Sequence, residues 1–181
     1  ACADKHVGVD EVVAALESAA RSAASLPVDW SKATLTKLIE HILTTHHTYV
    51  RSELPRLGML AQKVVKRHGD TQAHLPAMQK VLAQLDKDFT HHQEKEERAL
   101  FPYILNLEAT VTSGSGQREG SFGAAANPIA MMMSEHDAVG AMMAELRRLS
   151  DDFTTPVGAC PTYHAYYDSL IRNYHITTAG T

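Results

Sequence analysis

Cysteine is nearly absent from this chain, with only Cys2 and Cys160 in 181 residues. A pair so far apart forms neither a close-spaced zinc site nor a disulfide framework, and it suits a reducing, cytoplasmic setting. Long apolar runs are missing too. No stretch reaches the roughly 18 residues of a membrane span, and the N-terminal residues lack the apolar centre of a signal peptide. Charge of one sign is nowhere concentrated. The 17 basic and 21 acidic residues are spread without blocks, so neither nucleic acid nor an anionic membrane is an expected partner. Strand-forming runs are nearly absent, and no fixed-period repeat marks a solenoid. With 44% apolar residues the chain can still bury one sizeable core.

What the sequence does have is helical periodicity. Asp10 to Ala24 reads as a short helix with Asp10 as N-cap, broken by Leu26-Pro27-Val28-Asp29-Trp30. From Leu35 to about Arg67, apolar residues recur at three and four (Leu38, Ile39, Ile42, Leu43, Val50, Leu54, Leu57, Leu60, Ala61, Val64), with Pro55 a candidate kink. Gly69 is expected to end that helix in a left-handed conformation and Asp70 to open the next. Met78, Leu82, Leu85, Phe89, Leu100, Tyr103 and Ile104 form the second stripe. Thr110 to Asn127 reads as a loop. Asn127-Pro128 has the form of a helix start, followed by Ile129, Met132, Met133, Val139, Met143 and Leu146 to about Ser150. The fourth helix is expected from Thr162 to about Tyr174. The fold class these stripes predict is all-α, an antiparallel up-and-down four-helix bundle with a short N-terminal helix.

Eleven histidines stand in the chain, as many as Phe, Trp and Tyr together, so their placement on the stripes matters. Leu85, Phe89, His92, Glu96, Leu100 and Tyr103 follow at steps of three or four. His92 and Glu96 therefore face the core one turn apart, and His91 faces outward. Ile129, Met132, His136 and Met143 place His136 inward by the same rule. In the first helix both His46 and His47 lie on lines of apolar residues, and periodicity does not choose between them. A lone stripe histidine is commonly a satisfied core residue, and His92 with Glu96 also suits a metal-free buried ion pair. Three helices aiming imidazoles at one interior together favour a metal site, because burying so many polar groups without coordination is costly. Imidazole with carboxylate suits iron, zinc, copper or manganese. Glu94 and Glu97, with Lys95 and Arg98, read as a solvated face, leaving Glu96 alone on the stripe. The methionines Met131, Met132, Met133, Met142 and Met143 read as adaptable filling, and Cys160 as a small turn residue.

The segments Leu38-Ile39-Glu40-His41-Ile42-Leu43 through His47 to Glu53-Leu54-Pro55, His92 to Pro102 (HQEKEERALFP) and Ser134-Glu135-His136-Asp137 resemble the iron-sulfur cluster repair di-iron proteins, the repair of iron centres family, within the hemerythrin-like HHE group. The resemblance implies that His47, His92, Glu96 and His136 ligate non-haem iron, with Glu96 bridging two irons, and it selects His47 over His46. His68 matches a family histidine near the site. The family's fourth-helix His-x3-Glu-Asn motif has no match here, so a single iron is an alternative to a di-iron centre. Residues 1–30 are expected to be the remnant of an N-terminal domain with its linker. Residues 31–181 are expected to form the bundle, with its fourth helix truncated. The implied function is repair of iron-sulfur clusters damaged by nitrosative or oxidative stress, with damaged or apo iron-sulfur proteins as partners and the chain acting as iron donor rather than as a conventional enzyme. A hemerythrin-like sensor binding O2 or NO, and a structural bundle without metal, are the alternatives.

Overall fold

The computed structural model describes residues 29–114 and 121–178, with side chains over 29–114 and 128–174. The short helix expected over Asp10 to Ala24 and the expected N-terminal remnant lie outside the described residues. The chain divides into two units, Ala1–Thr34 and Leu35–Thr181. In the first, a 3-10 turn over Trp30–Lys32 is capped by Asp29, whose carboxylate accepts from the Ser31 amide at 3.2 Å.

The second unit is helical, and its described residues hold no strand. Its first rod is α1 (Leu35–His41), a π-helical segment (Ile42–His47) and α2 (Thr48–His68). The second rod is α3 (His74–Lys95), a second π-helical segment (Glu96–Leu100) and α4 (Phe101–Thr112). Two single helices complete the bundle, α5 (Ser121–Leu149) and α6 (Pro161–Thr178). The first rod packs against the second and against α6, and α5 closes the ring against the second rod and α6. The two rods run antiparallel and are fastened at one end by Glu108. Its carboxylate accepts from the backbone amides of Leu35 at 2.7 Å and Thr36 at 3.0 Å, satisfying two of the donors that a helix start leaves without partners.

Burial follows the predicted stripes closely in the half of the bundle around α6. Leu54, Leu57, Ala61 and Val64 of α2, Leu75, Met78, Leu82 and Leu85 of α3, Val139, Met143 and Leu146 of α5, and Tyr163, Tyr166, Tyr167 and Leu170 of α6 form one apolar cluster. Spacings of three and four put each set on one helix face. Phe153 joins the cluster from the α5–α6 connection, where Asp151, Asp152 and Phe153 adopt left-handed φ values of 50°, 55° and 56°. That conformation costs roughly 1–2 kcal/mol per residue, and it is held by the burial of Phe153 and an Arg147–Asp152 ion pair at 2.5 Å. A polar clamp ties α2 to α6. Arg56 donates to both oxygens of buried Glu53, at 2.7 and 2.5 Å, and to Ser169 Oγ at 2.6 Å, while Asn173 donates to Glu53 at 3.3 Å.

Several local expectations are corrected. Gly69 is right-handed at φ −61°. The structure instead gives it close approach as its role, since a Cβ there would lie 2.5 Å from the Val65 carbonyl oxygen. Asp70 does not open the next helix, which begins at His74 after a turn. Helix α2 runs through Pro55. Helix α5 starts at Ser121, so part of the expected loop is helical and Pro128 sits inside the helix. The alanines at 124–126, the strongest helix formers, extend it upstream of the proline. Ile129 is exposed.

The Tyr166 hydroxyl is buried with no hydrogen-bond partner among the described residues, whereas the Tyr163 and Tyr167 hydroxyls each lie 3.0 Å from His74 Nε2. Tyr166→Phe is therefore expected to stabilise the protein by about 1 kcal/mol and Tyr167→Phe to destabilise it. Thermal denaturation of both variants checks this, and a loss of stability in Tyr166→Phe equal to that in Tyr167→Phe would contradict it.

Candidate metal centre

The π-helical segments bracket the polar interior. His47 is the last residue of the first and Glu96 the first residue of the second. An extra residue in a helical turn rotates the following side chains relative to a regular α-helix, a device frequent at functional sites. Here it accompanies the burial of His47 (5% exposed) while neighbouring His46 stays exposed. His92 (4% exposed) enters from the end of α3.

These groups converge. His47 Nε2 lies 3.0 Å from Glu96 Oε2, and His92 Nε2 lies 3.4 Å from Glu96 Oε1, so the two carboxylate oxygens face different imidazoles. His136 Nε2 of α5 is 2.9 Å from His92 Nε2. Donor atoms of His92, Glu96 and His136 all fall within 4.8 Å of one another. The other ring nitrogens are occupied: His47 Nδ1 pairs with Glu97 Oε1 at 2.7 Å, and His92 Nδ1 with Glu135 Oε2 at 2.9 Å. Arg51 donates to Glu97 at 2.7 Å, and Lys95 donates to Glu135.

Burial and pairing compete over every charge here. Burial alone would lift the Glu96 carboxyl, but hydrogen bonds from His47 and His92 outweigh it and bring the group down to about 2. Burial would lower both imidazoles, yet their carboxylate partners hold His47 and His92 above the ordinary histidine value. His136 goes the other way, lowered by burial and by the charge on His92.

The predicted set is thus brought together, with three corrections. His136 has its Nε2 against His92, but the residue as a whole is exposed, so it forms the rim of the centre and not its core. Its neighbours on α5, Met131 and Met133, are exposed as well, whereas Met132, Val139, Met143 and Leu146 carry the buried face of that helix. Glu97 is not part of a solvated face: its side chain is 28% exposed and bonded to His47. His68 is not near the centre. It lies 21 residues along the helix from His47, a rise of about 30 Å, with Nε2 3.2 Å from Cys160 Sγ. Glu135, like Glu97, lies off the apolar stripe that periodicity singles out. The pairing of each with a histidine on another rod is a tertiary fact, although both stand next to a predicted ligand in sequence.

Imidazoles with inward Nε2 atoms around one two-sided carboxylate, inside a helical bundle, define a cation centre of the histidine-carboxylate class. The family described as the hemerythrin HHE cation binding domain matches residues 38–176, and the chain belongs to it. Among curated relatives, the iron-sulfur cluster repair protein YtfE of Cronobacter sakazakii is 34% identical over 154 residues, covering 85% of this chain and 64% of the relative. The YtfE protein of Escherichia coli O1:K1 / APEC is 31% identical over 170 residues, covering 94% of this chain and 70% of the relative. The chain thus spans about two thirds of the length of these relatives. No helix among the described residues is long and apolar enough to cross a membrane.

His47, His92 and Glu96 each contribute to the stability of the metal-free protein over a definite pH range. Raised imidazole values at His47 and His92 mean that their contribution is present below the ordinary value of 6.5 and is lost as pH rises through the folded values. The Glu96 contribution is present above 4.5 and lost as pH falls toward about 2. His136, lowered by burial, opposes the other two imidazoles below 6.5. The rise in melting temperature on loading metal should therefore be larger near pH 8.5 than near pH 6, because ligating imidazoles must be neutral. Melting curves with and without metal at the two pH values test this, and parallel shifts in both forms would refute it.

Proposed function

We propose that His47, His92, Glu96 and His136 hold non-haem iron, and that the chain acts in repair of iron-sulfur clusters damaged by nitrosative or oxidative stress, donating iron to a damaged or apo cluster protein. The observation that supports this most is the two-sided placement of Glu96. Its Oε1 shares a pocket with His92 and His136, and its Oε2 shares one with His47. The first pocket offers three donors and the second two, so a cation at the first would be held more firmly than one at the second. Iron in such a setting supplies a weakly held, exchangeable cation with room for a small ligand. The protein's own contribution is to exclude water at His47, His92 and Glu96, all deeply buried, and to leave the His136 edge open. Because α5 contributes the exposed donor, entry and exit at that edge require no opening of the apolar half of the bundle. The names of the relatives support the repair assignment, and the same open edge supports a second reading, a module that binds O2 or NO at the iron.

Anaerobic loading with Fe(II), followed by metal analysis per chain, tests the ligand assignment. His92→Ala combined with His136→Ala is expected to lose the firmly held iron, and a double variant with undiminished iron would remove the assignment. Mixing loaded protein with an apo ferredoxin and added inorganic sulfide under the same conditions is expected to transfer iron and rebuild the cluster's absorption. Failure to transfer, together with a reversible O2 adduct, would favour the sensor reading. Melting unchanged by a chelator would leave a structural bundle, since a cation bound only to the folded state must raise the midpoint.

A further inference from the structure

Two carboxylates outside the donor set face the centre from adjacent helices. We propose that Glu97 and Glu135 are its positioning residues: each takes the Nδ1–H of a histidine on another helical element and so turns that ring's Nε2 lone pair toward the cation. This rests on the reading of His47 and His92 as ligands.

The two arrangements repeat one another. Glu97, in the second rod, accepts from His47 of the first rod at 2.7 Å and is gripped by Arg51 at 2.7 Å. Glu135, in α5, accepts from His92 of the second rod at 2.9 Å and is gripped by Lys95. In each case the basic residue lies on the same rod as the histidine it supports, three or four positions further on, so one helical turn supplies both the ring and the clamp for its acceptor. A neutral imidazole carries a single N–H, and an acceptor fixed at Nδ1 places it there, leaving Nε2 as the donor atom. That is the nitrogen the structure points at Glu96 in both rings. A carboxylate at the remote nitrogen also pushes electron density into the ring, strengthening it as a ligand and favouring the more oxidised metal. The contacts link the first rod to the second and the second rod to α5, so ring orientation is tied to helix register. His136 has no such acceptor among the described residues, and its ring meets only His92, at 2.9 Å.

The 181-residue chain loaded anaerobically with Co(II), and separately with iron, provides the test. In the Co(II) form, proton NMR should show two strongly shifted, solvent-exchangeable resonances from the Nδ1 hydrogens of His47 and His92. Glu97→Gln should move or broaden only the His47 resonance, and Glu135→Gln only the His92 resonance. Metal affinity measured against a competing chelator should weaken by about 10- to 100-fold in Glu97→Ala, with partial recovery in Glu97→Asp. The iron reduction potential should rise in the two Gln variants. Helical circular dichroism monitors folding, and if Glu97→Ala does not fold, Glu97→Gln and Glu97→Asp decide the question. Unchanged resonances, affinity and potential in these variants, alongside loss of metal in His47→Ala, would overturn the positioning role while leaving the ligand assignment intact. Full metal retention in His47→Ala and His92→Ala would overturn both.

Discussion

Glu96 is a buried carboxylate in the middle of a helical bundle, and its burial constrains everything around it. An uncompensated charge there would cost several kcal/mol. Its two oxygens are answered by His47 and His92 from different rods, and those rings are answered at their far sides by Glu97 and Glu135, which in turn reach Arg51 and Lys95. Charge is thus passed outward in alternating sign from a buried centre to a solvated rim. Remove the innermost carboxylate and two buried imidazoles lose their common partner; remove the outer pair and the rings lose their orientation.

This polar assembly occupies one half of the bundle, and the other half is apolar. Leu57, Val64, Leu75, Met78, Leu82 and Leu146 are almost completely buried together with three tyrosines of α6. Burial of apolar side chains stabilises by roughly 1.5–3 kcal/mol each, which lets the apolar half carry the fold while the polar half is arranged for chemistry. The π-helical segments fall in the polar half only. Their irregular turns are tolerated where side-chain pairing across the rods compensates, and they coincide with His47 and Glu96. The Glu53–Arg56–Ser169–Asn173 clamp adds a second, half-buried polar link, between the first rod and α6, in which each charged group again has a partner.

Most of the bundle could be read from periodicity. The stripes through Leu54, Leu57, Ala61 and Val64, and through Leu82 and Leu85, are the buried faces, and the same arithmetic separated His92 from exposed His91. Elsewhere local signals misled. The Asn127-Pro128 pair looked like a helix start, but the alanine-rich stretch before it is helical. Gly69 looked like a left-handed cap, and its glycine character serves close packing on Val65. His136 lies on the apolar line of Met132 and Met143, which are buried, yet the histidine itself is exposed and stands at the rim.

The sequence by itself determined the helical class, the faces that pack and three ligand candidates on two helices, because a side chain's direction on a helix depends only on its spacing from its neighbours. Choosing His47 over His46 took a family resemblance at that level. Only the tertiary structure showed why that choice is physical: the first π-helical segment ends at His47, and the ring meets Glu96 and Glu97 from the other rod. The same holds for Glu97 and Glu135. Their partners are 50 and 43 residues away, and contacts at that distance depend on how rods are registered against one another, which no local period encodes.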